Sequence, residues 1–388
     1  MIPDKWKVKE FEEVAHIANG QVSPLSEPYI DYYHIGPDNI DSGTGRIENI
    51  QVVRDLGLTS GKYIFDEKSI VYSKIRPNLN KVCMPDFVGI CSADMYPLWP
   101  KGDMIREYLY QFMRSSFFLK QTIAVSMRTG LPKINRDDLK QIEVLVPPED
   151  EQRTIANILA TWDRGIDLIT QLIVLKQQRK RGLMQQLLTG KRRFRGFTDK
   201  AWTKKQIGDL FLERAETGRS NLPLLAITNK GGIVSRDSLE RRDTSNEDKS
   251  KYLRICKGDI GYNTMRMWQG VSAVSDMEGI VSPAYTICVP LENVDANFMG
   301  HLFKSPQMIH LFRRYSQGLV DDTLSLKFDV FSKIEVTVPA LDEQKRIAEV
   351  FDTCNSELAL LNRKLALLKK QKQGLMQQLL TGKVRVKT

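Results

Sequence analysis

The 388 residues predict an α+β fold: two pseudo-symmetric bodies separated by two long helices that form an antiparallel coiled coil. Three observations carry this. The decamer GLMQQLLTGK stands at Gly182–Lys191 and again at Gly374–Lys383, an offset of 192 residues. Each copy closes a stretch in which apolar residues follow a 4,3,4,3 spacing. Ahead of each stretch lies a body of about 140 residues in which β-branched and aromatic runs mix with helical ones.

Self-similarity at one long offset means a duplicated unit. At that offset QIEVLVPPEDEQRTIANIL (Gln141–Leu159) aligns without a gap to KIEVTVPALDEQKRIAEVF (Lys333–Phe351), and 24 of the 51 positions from Gln141 to Lys191 are identical. Nearer the start of each half the likeness returns. Asp4-Lys5-Trp6 resembles Asp199-Lys200-Ala201-Trp202, and KYIFDEKSIVYSKIR (Lys62–Arg76) resembles KYLRICKGDIGYNTMR (Lys251–Arg266). The expected segments are 1–146 for the first body, 147–190 for its helix, 191–338 for the second body and 339–388 for its helix.

Both helices open on Pro (Pro147-Pro148, Pro339) followed by Asp-Glu-Gln (Asp150–Gln152, Asp342–Gln344). Pro suits a first helical turn, and acids there complement the dipole. The apolar seam of the first helix is Ile155, Leu159, Trp162, Ile166, Ile169 and Ile173, running on to Leu183 and Leu187. In the second it is Ile347, Phe351, Cys354, Leu358, Leu361, Leu365 and Leu368, running on to Leu375 and Leu379. This is the 3.5-residue period of a coiled coil, and each helix is the natural partner of the other. Lys176, Lys180 and Lys372 interrupt the seam, and Gly190 and Gly382 are C-caps. Roughly 38 residues at ~1.5 Å each make a rod of about 57 Å. The basic runs Lys176–Arg181, Lys191–Arg195 and Lys369–Lys372 read first as solvated helix ends and second as contacts for nucleic acid or an acidic partner.

In the bodies, SIVYSKI, VGICSADMYPLW, IEVLVP, GIVSPAYTICVP and IEVTVP have strand character. The stretches Met104–Ile123 and Phe298–Tyr315 are helical, and their aromatics, at helical spacing, read as core rather than as a base-stacking platform.

A content of 41% hydrophobic and 27% charged residues is that of a globular chain. No apolar run reaches the roughly 18 residues that span a membrane, and MIPDKWKVKEFEE lacks the apolar stretch of a signal peptide, so a cytoplasmic location is expected. Cys83, Cys91, Cys256, Cys288 and Cys354 are scattered and fit reduced thiols. His16, His34, His301 and His310 do not cluster with them, so no metal is expected. The net charge of +10 is uneven: −3 for residues 1–150, +7 for 151–200, +1 for 201–340 and +5 for 341–388. DNA contact by the bodies must therefore come from local patches.

No P-loop, GxGxxG, HExxH or GxSxG occurs, and VPPED has the prolines of an adenine-methyltransferase motif without its aromatic residue. Asp137-Asp138 and Asp321-Asp322 read as chance neighbours on loops. The chain is expected to be non-catalytic and to hold no cofactor. Each body does offer polar and basic segments beside strands. The candidates for DNA contact in the first are Tyr72, Ser73, Lys74, Arg76, Asn78, Arg128, Thr129, Lys133 and Asn135. In the second they are Tyr262, Asn263, Arg266, Trp268, Gln269, Gln317 and Lys327. Arg, Lys, Asn and Gln read base edges, while Ser, Thr and Lys serve phosphates.

VPPEDEQRTIANIL and VPALDEQKRIAEVF, each leading into a heptad helix that ends in GLMQQLLTGK, resemble the specificity (S) subunit of Type I restriction–modification enzymes. The resemblance covers essentially the whole chain. SMRTGLPKINRDDLKQIEVLVPP is similar to that family's end of a target recognition domain. SQGLVDDTLSLKFDVFSKIEVTVP, its counterpart in the second half, lacks the Pro and Asn. The resemblance implies two target recognition domains, each reading one half of a bipartite, asymmetric sequence in double-stranded DNA. It implies that the helix length sets the spacer and that methyltransferase (modification) subunits, two of them, dock on the helices. S-adenosylmethionine chemistry is theirs, and motor-nuclease (restriction) subunits join for cleavage. The residues alone leave a second reading open, a non-catalytic coiled-coil adaptor with two β-rich protein-binding modules.

Overall fold

The computed structural model describes residues 3–126, 132–228, 231–238 and 248–387. The chain divides into two compact units, Met1–Gln171 with Asn362–Thr388, and Leu172–Leu361, so each long helix contributes to both.

In the first unit the body is closed at its ends: strand Lys7–Glu10 pairs antiparallel with Glu143–Val146, Lys7 opposite Val146. Helix α1 (Phe11–Val14) turns the chain into an antiparallel sheet ordered Ala15–Ile17, Met95–Pro100, Ile70–Ser73, Val82–Cys83. A second sheet runs Gln51–Val52, Tyr33–Ile35, Gly89–Cys91, Tyr63–Phe65, with one parallel pair in its middle. The expected helical stretch from Met104 is two helices, α2 (Arg106–Met113) and α3 (Ser116–Ser126). The break is capped: the Ser115 hydroxyl accepts the Phe118 amide at 3.2 Å, which starts a new helix. Phe112, Phe118 and Tyr108 are buried, as their spacing suggested. Helix α4 (Arg136–Lys140) precedes the last strand, and α5 (Glu149–Leu187) follows it.

The second unit repeats this plan. Thr203–Gln206 pairs with Glu335–Val338, and the main sheet is ordered Phe211–Glu213, Tyr285–Pro290, Ile260–Asn263, Ser272–Val274. Helices α6 (Ala296–Leu302) and α7 (Pro306–Tyr315) are split by Ser305, which caps, and Pro306, which suits a first turn. Helix α8 (Phe328–Phe331) comes before the last strand and α9 (Leu341–Leu379) after it.

The packing within each unit is antiparallel. In the first, Ile155 and Leu159 share a core with Met376, Leu379 and Leu380. In the second, Leu187 and Leu188 share one with Ile347 and Phe351. The apolar residues of each decamer thus close the core of a body. The lysines that interrupt the seam meet polar groups of the facing helix: Lys372 reaches Asp163 at 2.6 Å, Lys176 pairs with Glu357, and Lys180 donates to the Asn355 side-chain oxygen. Polar pairs among apolar layers fix one register, since any slip strands a charge. Ile155, Leu159, Ile166, Ile173, Ile347 and Phe351 are buried, whereas Trp162, Ile169, Leu358, Leu361, Leu365 and Leu368 are half-buried. The seam is thus tightest where a body lies against it.

The repeated Asp-Glu-Gln has a structural task. Gln152 accepts the Ile105 amide at 2.9 Å and donates to Asp103 and Pro147 carbonyls. Gln344 does the same with Asp295, Asn293 and Pro339. Glu343 takes both Arg193 nitrogens at 2.7 Å and the Trp202 indole at 3.2 Å. Glu151 takes the Trp6 indole at 3.1 Å and the Arg385 guanidinium. Gly190 and Gly382 lie at φ +69° just past the helix ends, the left-handed C-cap that glycine adopts without cost. Among the described residues no helix is long and apolar enough to cross a membrane.

Candidate nucleic-acid interface

In each unit one strand of the main sheet runs out into a polar turn, and a segment from much later in the chain is tied beside it. In the first unit the strand is Ile70–Ser73. The Lys74 carbonyl accepts the Ile134 amide at 2.9 Å, and the Arg76 amide donates to the Pro132 carbonyl at 2.8 Å. Lys133 thereby stands opposite Ile75. Arg76 (φ +48°) and Asn80 (φ +44°) are left-handed and bracket the turn Pro77–Leu79. Such backbone costs a non-glycine residue roughly 1–3 kcal/mol and collects at functional sites. Arg76, Asn78 and Lys133 are exposed.

The electrostatics are cationic. Lys74 Nζ lies 5.2 Å from the centre of the Tyr96 ring and the Arg136 guanidinium 5.3 Å, so both cations use one aromatic face or edge. Burial lowers the Lys74 pKa, and the charges of Lys133 and Arg136 lower it further against Asp94. A phosphate brought to this cluster would be bound by cations that repel one another in its absence.

In the second unit the strand is Ile260–Asn263. The Thr264 carbonyl accepts the Leu326 amide at 2.9 Å, the counterpart of the Lys74–Ile134 bond. Asn263 Oδ1 accepts the Met265 amide at 3.0 Å, and the Trp268 indole donates to the Met265 carbonyl at 3.1 Å. The Arg313 guanidinium sits 5.0 Å from the Trp268 ring centre, and Arg266 lies 3.6 Å from Asp322. Gln317 and Ser325 exchange backbone hydrogen bonds across the neighbouring loop, and Lys327 is exposed where α8 begins. The fold therefore gathers Lys74, Arg76 and Asn78 with Lys133 in one unit. It gathers Asn263, Arg266, Trp268 and Gln269 with Gln317 and Lys327 in the other.

Three expected contacts need correction. Tyr72 and Tyr262 are fully buried, their rings packed on Phe118 and Phe331 with centroids 5.7 and 4.8 Å apart. They match between the halves because both are core. Ser73 is buried and its hydroxyl donates to the Ile75 carbonyl at 3.1 Å. Asn135 is exposed and caps α4, its Oδ1 accepting the Asp138 amide at 2.8 Å. Arg128 and Thr129 lie outside the described residues. Of the eleven cations in the basic runs, Lys176, Lys180, Arg193 and Lys372 meet groups of the chain itself.

Sequence reasoning passed over Arg136, Tyr96 and Arg313, and read Asp321-Asp322 as chance neighbours. Arg313 was hidden in a helical aromatic stretch. The two aspartates occupy a 3-10 turn and pair with Arg313 and Arg266. Only the arginines beside aromatic residues could have marked them.

Comparison with known proteins shows the family of the chain. The family whose domain is described as the Type I restriction modification DNA specificity domain matches twice, at residues 3–177 and 199–370. The chain is 37% identical over 201 residues to the Type I restriction enzyme EcoDI specificity subunit of Escherichia coli, a match that spans 52% of this chain and 44% of that one. It is 26% identical over 422 residues to the MjaVIII specificity subunit of Methanocaldococcus jannaschii, spanning 100% of this chain and 94% of that one. The fold is similar to the crystal structure of the Type-I restriction-modification system S subunit from M. genitalium, with a TM-score of 0.62 and 15% identity over 98% of this chain and 96% of the other.

Proposed function

The chain belongs to the Type I restriction modification DNA specificity family, whose domain it carries twice, and on that premise we propose that it is the sequence-specific DNA-recognition subunit of a Type I restriction–modification complex. Residues 1–146 and 191–338 are its two reading domains, each taking one half of a bipartite, asymmetric target in double-stranded DNA. The length of the paired helices sets the spacer. The observation that carries this reading is one local construction used twice with different side chains. The same strand-end hydrogen bond ties Lys74 to Ile134, beside Lys133, in one unit and Thr264 to Leu326, beside Lys327, in the other. An unchanged frame with different donors suits two different half-sites.

The chain performs no chemistry of its own. Two methyltransferase subunits dock on α5 and α9, and S-adenosylmethionine is bound there, not here; restriction subunits join for cleavage. Support for equivalent docking comes from the repeat. Leu168 and Leu175 on α5 are identical to Leu360 and Leu367 at the 192-residue offset, and all four are largely exposed. Leucines kept in water twice, seven residues apart on one helix side, suit two copies of one apolar partner. The complex works in the cytoplasm.

The test is selection from a randomised duplex pool by the chain co-expressed with its methyltransferase partner, at two salt concentrations. Enrichment of a split motif with a fixed gap, and binding that weakens steeply with salt, is expected. A complex that forms but enriches no sequence sinks the proposal.

A further inference from the structure

The loop 316–325 of the second unit holds two apolar side chains out into water, and it is built to do so. Its base is closed by Gln317 and Ser325, whose amides donate to each other's carbonyls at 2.9 and 2.8 Å. Gly318 lies at φ +151°, where an added Cβ would stand 2.6 Å from the Thr323 carbonyl oxygen. The Val320 amide donates to the Thr323 hydroxyl at 3.2 Å. From outside, Arg313 holds Asp321 at 2.8 Å and Arg266 faces Asp322. Arg313 is in turn seated on Trp268. At the tip of this braced loop Leu319 is 100% exposed and Val320 61%.

A loop tip facing only solvent gains nothing from a rigidly held Leu-Val pair. Two side chains are also far too little for a stable protein interface, which takes roughly 800 Å² per partner. The loop's ties bring exposed donors to it, Gln317 at its base and Arg266 through Asp322, whose charge, like that of Asp321, is balanced by an arginine. An apolar tip beside donors able to read base edges matches the major-groove edge of an A·T pair, whose apolar group is the thymine 5-methyl. Resting on the DNA-recognition reading above, we infer that Leu319 and Val320 read a thymine methyl group in the half-site of the second domain. Leu319 is thereby a specificity-determining residue.

The test uses the chain in complex with its methyltransferase partner and the half-site found by duplex selection. Each thymine of that half-site, on either strand, is replaced in turn by deoxyuridine, which lacks only the methyl group. One position is expected to weaken binding about fourfold, the ratio that burial of a single methyl group corresponds to. In Leu319→Ala, whose side chain touches no core, that same replacement has no further effect; Val320→Ala shows a smaller version of the same loss. Thymines of the other half-site are indifferent to both variants. Insensitivity at every position, an equal loss in wild type and Leu319→Ala, or a half-site without an A·T pair overturns the inference. Selection that enriches no split motif overturns the DNA-recognition reading itself, and the two failures are thus told apart.

Discussion

Removing the carboxylate of Asp163 is expected to damage the first unit far more than removing the lysine it holds. Asp163 Oδ1 lies 2.6 Å from Lys372 Nζ and 3.5 Å from Arg114, and Oδ2 accepts the Gln111 amide at 2.8 Å. The Lys372 and Arg114 side chains are only 7% and 8% exposed. Asp163→Ala leaves two enclosed cations facing each other, and stripping one partner from a buried pair costs roughly 3–5 kcal/mol. Lys372→Met is different. Asp163 keeps Arg114 and Gln111, and the methionine fills the site without a charge, so the change stays within about 1.5 kcal/mol. Burial first, then the Arg114 charge, bring the Lys372 pKa down to about 8 against the pull of Asp163. Between pH 8 and the ordinary lysine value of 10.5 the unfolded chain holds a proton that the folded chain has shed. Wild-type stability therefore rises with pH across that window, and Lys372→Met lacks the rise. The assay is urea unfolding of the whole chain at several pH values, with the second unit's transition as internal control. A cost below about 1 kcal/mol for Asp163→Ala, or equal costs for the two variants, refutes the reasoning.

Other outcomes are expected. Burial alone would raise the Glu151 pKa, but hydrogen bonds from Arg385 and Trp6 outweigh it and hold the carboxyl below its usual value of 4.5. Its contribution is present above that value and lost as pH falls through the lower folded one, so Arg385→Ala should flatten the acid limb of a thermal-stability profile. Gly382→Ala should lower the melting temperature more than Gly190→Ala, although both sit at φ +69°. A Cβ on Gly382 would lie 2.2 Å from Pro3 Cγ, while on Gly190 its nearest neighbour is Trp202 at 3.3 Å, beyond a shared backbone cost of roughly 1–2 kcal/mol. Leu168→Lys with Leu360→Lys should leave the melting temperature unchanged and abolish methyltransferase assembly in native mass spectrometry; intact assembly would free those leucines of the docking role. Lys133→Ala should weaken binding about equally for all duplexes and lower the salt slope by about one, measured by anisotropy at several salt concentrations.

The duplication and the helix pair were legible because a 192-residue offset and a 3.5-residue period are written in single side chains. The core strands were legible for a similar reason, through β-branched and aromatic runs. Segment pairing was not: nothing near Lys74 announces that Ile134 will bond its carbonyl. The candidate site suffered in a specific way. Tyr72 and Tyr262 were singled out because they recur beside basic residues, yet they recur because Phe118 and Phe331 need them. Asn135 has a second task that its spacing did not announce, the cap of a short helix through its Oδ1. The lysines that looked like faults in the seam turned out to have partners on a helix far away in the chain, as Lys372 has in Asp163, 209 residues earlier.

One unit borrows from the far end of the chain. Met376, Leu379 and Leu380 complete the core that holds Phe11 and Leu159, and Arg385 closes on Glu151. The other unit is an unbroken run, Leu172–Leu361. During synthesis the second unit therefore has all of its own residues before the first does. The intervening run adds little closure entropy, since that grows only with the logarithm of length. The cost is one of time. At roughly 5–20 residues per second the ribosome needs about 10–40 s to pass from Gln171 to Leu380. Through that interval Ile155 and Leu159 lack their cover, so the first unit, made first, is the last to finish folding and the one most open to aggregation.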